Sequence, residues 1–318
     1  MRSRSARPDV SIMVVAYNSQ AVIAACLASI PGACTGSVYE VLLIDNGDGG
    51  TAALVGEQFP WVEIVPSRGN IGFAAGNNLT AAKAEGRYLL LLNPDVVLKP
   101  GAIDRLMDAT TTYPEAAAWG GVTLDAHDRP DYGNTVQVPS LHEMASRVIG
   151  RSIARAKGGA APITTDQEVA ALSGSFVMFT RSAWDEVGGL DERYFLYCEE
   201  VDLFYRLARR GHRFRKIAAS LAYHDIGHGE AASPRRELYL NAGIMQFTLL
   251  HWSKTRSQLA FVLIWLAALQ RFAAGRLFGA FRPSLARTAD KHRLVVLRPH
   301  FWRHGYDPER GLLARLQS

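Results

Sequence analysis

Along the first 125 residues, short apolar runs alternate with stretches in which apolar and polar positions recur at helical spacing. Val10-Ser11-Ile12-Met13-Val14-Val15-Ala16, residues 40–44, residues 62–65 and Leu89-Leu90-Leu91-Leu92 are the runs. Mainly apolar runs of this length suit strands covered on both faces, as in the middle of a parallel sheet. Between them the pattern predicts helices over residues 21–30, up to about 58, and 75–84, with Ser19 placed to cap the first. Strands alternating with helices in this way predict right-handed βαβ units and a doubly wound α/β sheet. The polar, Gly-rich turns then recur at the edge where such sheets bind ligands.

The leucine run leads directly into Asn93-Pro94-Asp95. Proline lacks a backbone donor and biases Asn93 towards extended backbone, so the strand stops and Asp95 stands just past its carboxyl end. The same residues form turns for purely local reasons. This stretch alone therefore does not separate a site from a turn.

Further on, the pattern predicts a helix over residues 102–113, a strand over 116–122, a strand-like run over 169–179 and helices starting at Arg181 and Leu203. Residues 125–165 are rich in Gly, Pro, Arg and small side chains, with one helical patch near 141–149, and read as a variable loop that could cover a substrate. Residues 259–269 are the most apolar stretch but fall short of the about 20 residues that span a bilayer. Arginines among aromatics then continue to residue 278, which suits a helix lying in a membrane interface, the alternative being a core or dimer-forming helix.

Composition adds a compartment and a charge asymmetry. Cys26, Cys34 and Cys198 form no C-x-x-C pair, which argues against a disulfide framework or a zinc site and suits a reducing compartment. No apolar segment of secretory type follows the basic start, so the expectation is a cytoplasmic protein. From residue 225 onward there are 14 Lys and Arg against 6 Asp and Glu, whereas the remainder holds 21 against 24. A basic tail on a mildly acidic body points to an anionic surface. Its basic residues cluster with an apolar helix, so the expected surface is anionic lipid and not nucleic acid.

Three acidic positions carry the candidate chemistry. Asp45 and Asp95 each follow an apolar strand, so both project at one sheet edge. There Asp45 could accept a hydrogen bond from a pyrimidine or ribose, and Asp95 could hold a hard divalent cation against a diphosphate. The third is Glu199-Glu200-Val201-Asp202, amid Tyr194, Phe195, Tyr197 and Tyr205. Acids at a helix start are favourable on dipole grounds alone. Carboxylates among aromatics also make a sugar platform, where one of them can act as general base.

Val14-Val15-Ala16-Tyr17-Asn18, Ile44-Asp45-Asn46-Gly47, Gly69-Asn70-Ile71-Gly72-Phe73-Ala74-Ala75-Gly76-Asn77-Asn78 and Leu92-Asn93-Pro94-Asp95 resemble the N-terminal half of the family 2 inverting glycosyltransferases with the GT-A fold. Ser173-Gly174-Ser175, Gly188-Gly189-Leu190-Asp191-Glu192 and the segment from Tyr197 to Arg206 match the second half in the same order. The resemblance spans about residues 10–228 and is greatest to rhamnosyltransferases that use dTDP-L-rhamnose in actinobacterial cell-wall assembly.

The resemblance implies a doubly wound, mostly parallel GT-A sheet with flanking helices in residues 1–230, with a donor half over about 10–122 and an acceptor half over 123–230, followed by a basic helical C-terminal region. It places Ala16, Tyr17, Asn18, Asp45, Asn46, Asn70, Gly72, Asn77, Asn93, Asp95 and Gly174 around the nucleotide sugar. Glu200 falls where the family keeps its catalytic base, with Asp202 the alternative, and Tyr197 and Glu199 would meet the acceptor. Asp95 would be the metal-binding aspartate of the D-x-D motif, from which Asn93 departs at the first position. His224 would complete the site for Mg²⁺ or Mn²⁺, with His228 a second candidate. The implied partners are a nucleotide-sugar donor, dTDP-rhamnose favoured, a glycan or lipid-linked acceptor and an anionic membrane surface at the inner face of the plasma membrane, with a second copy of the chain as a further candidate. Two rivals stand beside this reading. A nucleotidyltransferase would normally carry a basic Gly-rich loop after the first strand, which Val14 to Asn18 lacks, and a non-catalytic sugar- or lipid-binding relative is disfavoured by the joint presence of Asp95, Glu200 and His224.

Overall fold

A computed structural model describes residues 7–130, 136–149, 163–224 and 233–316. The chain divides into two compact units, one of Met1–Val138, Ala156–Asp191 and Glu200–Ile226, the other of Pro139–Arg155, Glu192–Glu199 and Gly227–Ser318.

The first unit is built on a sheet of nine strands. They are β1 (Val10–Ala16), β2 (Tyr39–Asp45), β3 (Glu63–Val65), β4 (Tyr88–Leu92), β5 (Val96–Leu98), β6 (Ala116–Leu124), β7 (Gln167–Glu168), β8 (Phe176–Thr180) and β9 (Arg213–His224). The order is β3-β2-β1-β4-β8-β6-β9-β5, with β7 on β9. Every residue of β1 and of β4 is buried, as the apolar runs require. β1, β2, β3 and β4 pair in parallel, linked by α1 (Ile23–Ala33), α2 (Gly50–Gln58) and α3 (Phe73–Lys83). β1 leads to β2 on one side and meets β4 on the other, so the strand order reverses there. Beyond β4 the sheet is mixed: β8 runs antiparallel to β4 and β6, and β5 antiparallel to β9, whereas β6 and β9 are parallel, with α4 (Ala102–Thr112) between β5 and β6 and α6 (Arg181–Glu186) after β8.

Two local expectations change. Ser19 does not cap α1 with its side chain; its carbonyl takes the Val22 and Ile23 amides and its own amide donates to Thr51 Oγ1. The helix expected from Leu203 starts four residues earlier, as α7 (Glu199–Ala208).

The second unit is helical, with α5 (Leu141–Val148), α8 (Pro234–His251), α9 (Lys254–Phe278), α10 (Pro283–Leu297) and α11 (Leu312–Leu316). α9 has 25 residues, far longer than its apolar centre suggested, and is long and apolar enough by composition to cross a membrane. One face, Ala260, Ile264, Ala267, Ala268 and Gly275, is buried, while Leu259, Val262 and Leu277 are exposed. Trp265 Nε1 donates to Val296 O and Trp302 Nε1 to Val295 O, tying α9 and the C-terminal segment to α10. A Cβ on Gly275 would lie 2.2 Å from Leu285 O, so only glycine allows this approach of α9 and α10.

Candidate active site

The carboxyl ends of β1, β2 and β4 converge where the strand order reverses. Register pairs Ala16 with Asp45. Asn46 N then donates to Ala16 O at 2.8 Å, so the two strand exits stay joined past the sheet. Asn18 takes φ +50°, and a Cβ on Gly47 would lie 2.6 Å from its Oδ1, so Gly47 permits the two loops to touch. Tyr17 stands 58 % exposed at this edge.

Asp45 is only 3 % exposed, and both its oxygens hold backbone, Oδ1 the Gly47 amide at 2.8 Å and Oδ2 the Ala52 amide at 3.0 Å. The carboxylate thus fixes the loop into α2 and keeps lone pairs for a ligand donor. Asn46 Nδ2 donates to Gly72 O, while its buried Oδ1 has no hydrogen-bond partner. Asn70 Oδ1 accepts from Gly72 N, and Gly72 has φ +87°. Asn77 differs from the others: it is 1 % exposed inside α3 and donates to Phe73 O, which makes it a packing residue. Its neighbour Asn78 is the one that reaches across, Nδ2 donating to Leu190 O and Oδ1 accepting from Leu190 N. In the sequence Asn78 is only the last residue of the Gly69 to Asn78 string, and nothing there marks this two-point clamp.

Beyond β4, Asn93 N donates to Ser175 O at 2.9 Å and Val96 N to Asn93 O at 3.2 Å, closing a tight turn with Asp95 at its third position. Val96 pairs with His224 across β5 and β9. Asp95 Oδ1 consequently lies 3.5 Å from His224 Nε2, with side chains 33 % and 12 % exposed. Below the turn, Cys26 Sγ approaches Asn93 O, and burial, then the charge of Asp95, push this thiol well above its ordinary value. Cys26 therefore stays a neutral packing group.

Gly174 is buried, and a Cβ there would sit 3.4 Å from Phe73 Cε1 and 3.7 Å from Glu200 Cβ. Glu200, in the first turn of α7, is thereby packed against the loop whose next residue receives the Asn93 amide. Asp202 is in a different situation. It is 0 % exposed and takes Arg206 Nε on Oδ2 at 2.6 Å, while Arg206 also donates to Val187 O and Gly189 O. Removing one partner of a buried pair leaves the other charge stranded. Asp202→Asn is expected to lower stability by about 3 kcal/mol, read as a drop in denaturation midpoint.

In the second unit, Tyr197 and Cys198 take φ +67° and +72°, consecutive left-handed residues that strain the backbone. The strain is held in place: a Cβ on Gly243 would lie 2.3 Å from Tyr197 O, and the Tyr306 hydroxyl faces Leu196 O and Tyr239 O. Burial, then the charge of Glu199, raises the pKa of Tyr306 well above that of an ordinary tyrosine. Glu199 is itself buried. His228 lies outside the described residues.

Among the described residues no group of three or more His, Cys, Asp and Glu is placed to hold a metal ion. Asp95 and His224 nevertheless fit a divalent cation as a two-donor edge. A carboxylate and an imidazole suit Mn²⁺, and Mg²⁺ commonly takes one or two carboxylates and completes its shell with water and substrate phosphates.

The comparisons with known proteins agree with this architecture. The model of the glycosyltransferase like family 2 matches residues 8–247. The chain is 32 % identical over 250 residues to the N-acetylglucosaminyl-diphospho-decaprenol L-rhamnosyltransferase of Mycobacterium tuberculosis, covering 71 % of this chain and 79 % of that one. It is 29 % identical over 203 residues to the rhamnosyltransferase WbbL of Escherichia coli, covering 60 % and 74 %. In structure it is similar to the mannosyltransferase PcManGT from Pyrobaculum calidifontis, solved with GDP-Man and Mn²⁺, with a TM-score of 0.56 at 15 % identity over 92 % of this chain and 86 % of that one. The chain therefore belongs to the family 2 glycosyltransferases and is a glycosyltransferase with the mixed α/β architecture of the GT-A fold.

Proposed function

We propose that the protein is a metal-dependent inverting rhamnosyltransferase, moving L-rhamnose from dTDP-L-rhamnose onto a hydroxyl of a glycan or polyprenyl-diphosphate-linked acceptor. The observation that carries the catalytic part is the Asp95 and His224 pair at the exit of β4, with Glu200 packed against Gly174 in the same unit. The names of two relatives support the sugar and, in one case, the acceptor class.

Asp45, Asn46 and the Tyr17-Asn18 turn hold the nucleoside end of the donor. The partnerless Oδ1 of Asn46 supplies an acceptor to it. Asp95 and His224 are the residues that would hold Mg²⁺ or Mn²⁺. When bound, the cation neutralises the charge that builds on the departing diphosphate. Glu200 takes the acceptor hydroxyl proton as that oxygen bonds to the anomeric carbon from the face opposite the diphosphate. The bond from that carbon to the diphosphate oxygen breaks, and the configuration inverts. Asp202, engaged by Arg206, orients α7 and does not take the proton.

The test is a panel of nucleotide sugars with Mg²⁺ or Mn²⁺, read as release of nucleotide diphosphate in the presence of a lipid-linked glycan acceptor. dTDP-L-rhamnose is expected to be turned over fastest. Equal or faster turnover of a GDP- or UDP-sugar overturns the donor assignment. The exposed apolar stripe of α9 and the basic C-terminal region support binding at the inner face of the membrane, each basic residue near anionic lipid adding about 1 kcal/mol. Failure of the full chain to float with anionic liposomes at low salt removes that part of the reading.

A further inference from the structure

The helical unit contains a cavity of about 30 Å³ lined by Arg147 of α5, Glu237 and Asn241 of α8, Arg271 of α9 and His292 of α10, with Met144, Ile264, Ala267 and Ala268 completing the wall. Its polar lining is unbalanced. Glu237 is engaged by Lys291 at 3.0 Å, and Arg147 by Glu143. Arg271 is half-buried and donates to Ala267 O at 2.9 Å, and among the described residues no carboxylate pairs with it. Asn241 spends its amide on Glu237 O. His292 Nδ1 is buried with no hydrogen-bond partner, 3.7 Å from Glu237 Oε1. Arg147, Arg271 and Lys291 thus meet the two carboxylates of Glu143 and Glu237 in and around a cleft that is partly open on its Arg147 side. Burial disfavours the Arg271 charge and Arg147 adds to that, while Glu237, which opposes it, is already engaged by Lys291.

We propose that this cavity binds a phosphate-class anion, a single phosphate or phosphomonoester group, between the guanidinium groups of Arg147 and Arg271 and the imidazole of His292.

The volume leaves room for about two waters, or for one tetrahedral anionic group in their place. A planar guanidinium with donors to spare pairs with two oxygens of such a group at once. Burial holds His292 down to about 4, with Arg271 and Lys291 adding to the effect against Glu237. An anion in the cavity reverses part of that, since its charge favours the imidazolium. The four helices α5, α8, α9 and α10 each contribute a polar lining residue, so occupancy ties them together and raises the stability of the unit. Such an anion reaches the cavity either free in solution or as the headgroup of a phosphorylated lipid.

The experiment uses the full chain and inorganic phosphate, with chloride at matched ionic strength as reference. The thermal midpoint of the wild type rises with phosphate, and the His292 ring resonances move with their titration midpoint shifted upward. Arg271→Met, which keeps the packing of the stem, weakens the phosphate response by about 10- to 100-fold. Arg276→Met, an exposed position on the same helix, leaves it unchanged. Vesicles carrying phosphatidic acid, against vesicles matched in charge with phosphatidylglycerol, separate the sources. A preference for the phosphomonoester lipid that Arg271→Met abolishes assigns the headgroup, and a phosphate response without that preference assigns the free anion. A wild type that responds to phosphate no more than to chloride overturns the proposal. So does a folded Arg271→Met protein that keeps the full response.

Discussion

Glu200→Gln is expected to abolish transfer, turnover falling by about 10²- to 10⁴-fold, while donor binding stays at the wild-type level. The substitution keeps the size of the side chain, so its place beside Gly174 is unchanged. It removes the ability to accept a proton from the acceptor hydroxyl. The groups proposed to hold the donor lie at the ends of β1, β2 and β4 and do not depend on that proton. Release of nucleotide diphosphate with acceptor present, set beside donor affinity by calorimetry, reads both halves. Turnover that persists unchanged in Glu200→Gln removes the base assignment. If Asp202→Asn, still folded, then lost turnover instead, the role would pass to Asp202.

Asp95→Asn and His224→Ala should each reduce turnover by at least about 100-fold and raise the metal concentration needed for half-maximal rate. Asn keeps the shape of Asp95 and leaves the turn intact, since Asn93 N to Ser175 O and Val96 N to Asn93 O are backbone bonds. Only the charge is lost. Because the two side chains face each other at 3.5 Å, they act as one donor edge, and the double variant should fall well short of the product of the two single effects. Nucleotide diphosphate release across a range of Mn²⁺ and Mg²⁺ concentrations is the measurement. Metal-response curves that overlie the wild type would exclude both residues as ligands.

Much of the N-terminal part of the sheet was legible because its strands are buried on both faces. Unbroken runs such as Leu89 to Leu92 have few other readings, and the turns after them fall at one edge. The antiparallel placement of β8 was not legible, since the 169–179 run shows no periodicity that encodes direction. The start of α7 at Glu199 was missed because aromatics obscured the helical pattern and nothing marked Tyr197 and Cys198 as left-handed. Asp202 and Arg206 stand four apart, the spacing of a helical ion pair, so this partnership could have been read from the chain. The grouping of Pro139–Arg155 with the C-terminal helices was beyond reach, because it rests on contacts distant in sequence.

The turn from Asn93 to Val96 is pinned by strand pairing at both ends, Leu92 to Phe176 before it and Val96 to His224 after it. Side chains on a strand point alternately to opposite faces, so a slip of one residue would turn His224 away from Asp95. The segment can therefore change its chemistry but not its length. Asparagine can stand at position 93 because only the backbone there is fixed, whereas one residue inserted between Leu92 and Asp95, or the loss of Pro94 alone, would separate Asp95 from His224 while leaving every functional side chain in the chain.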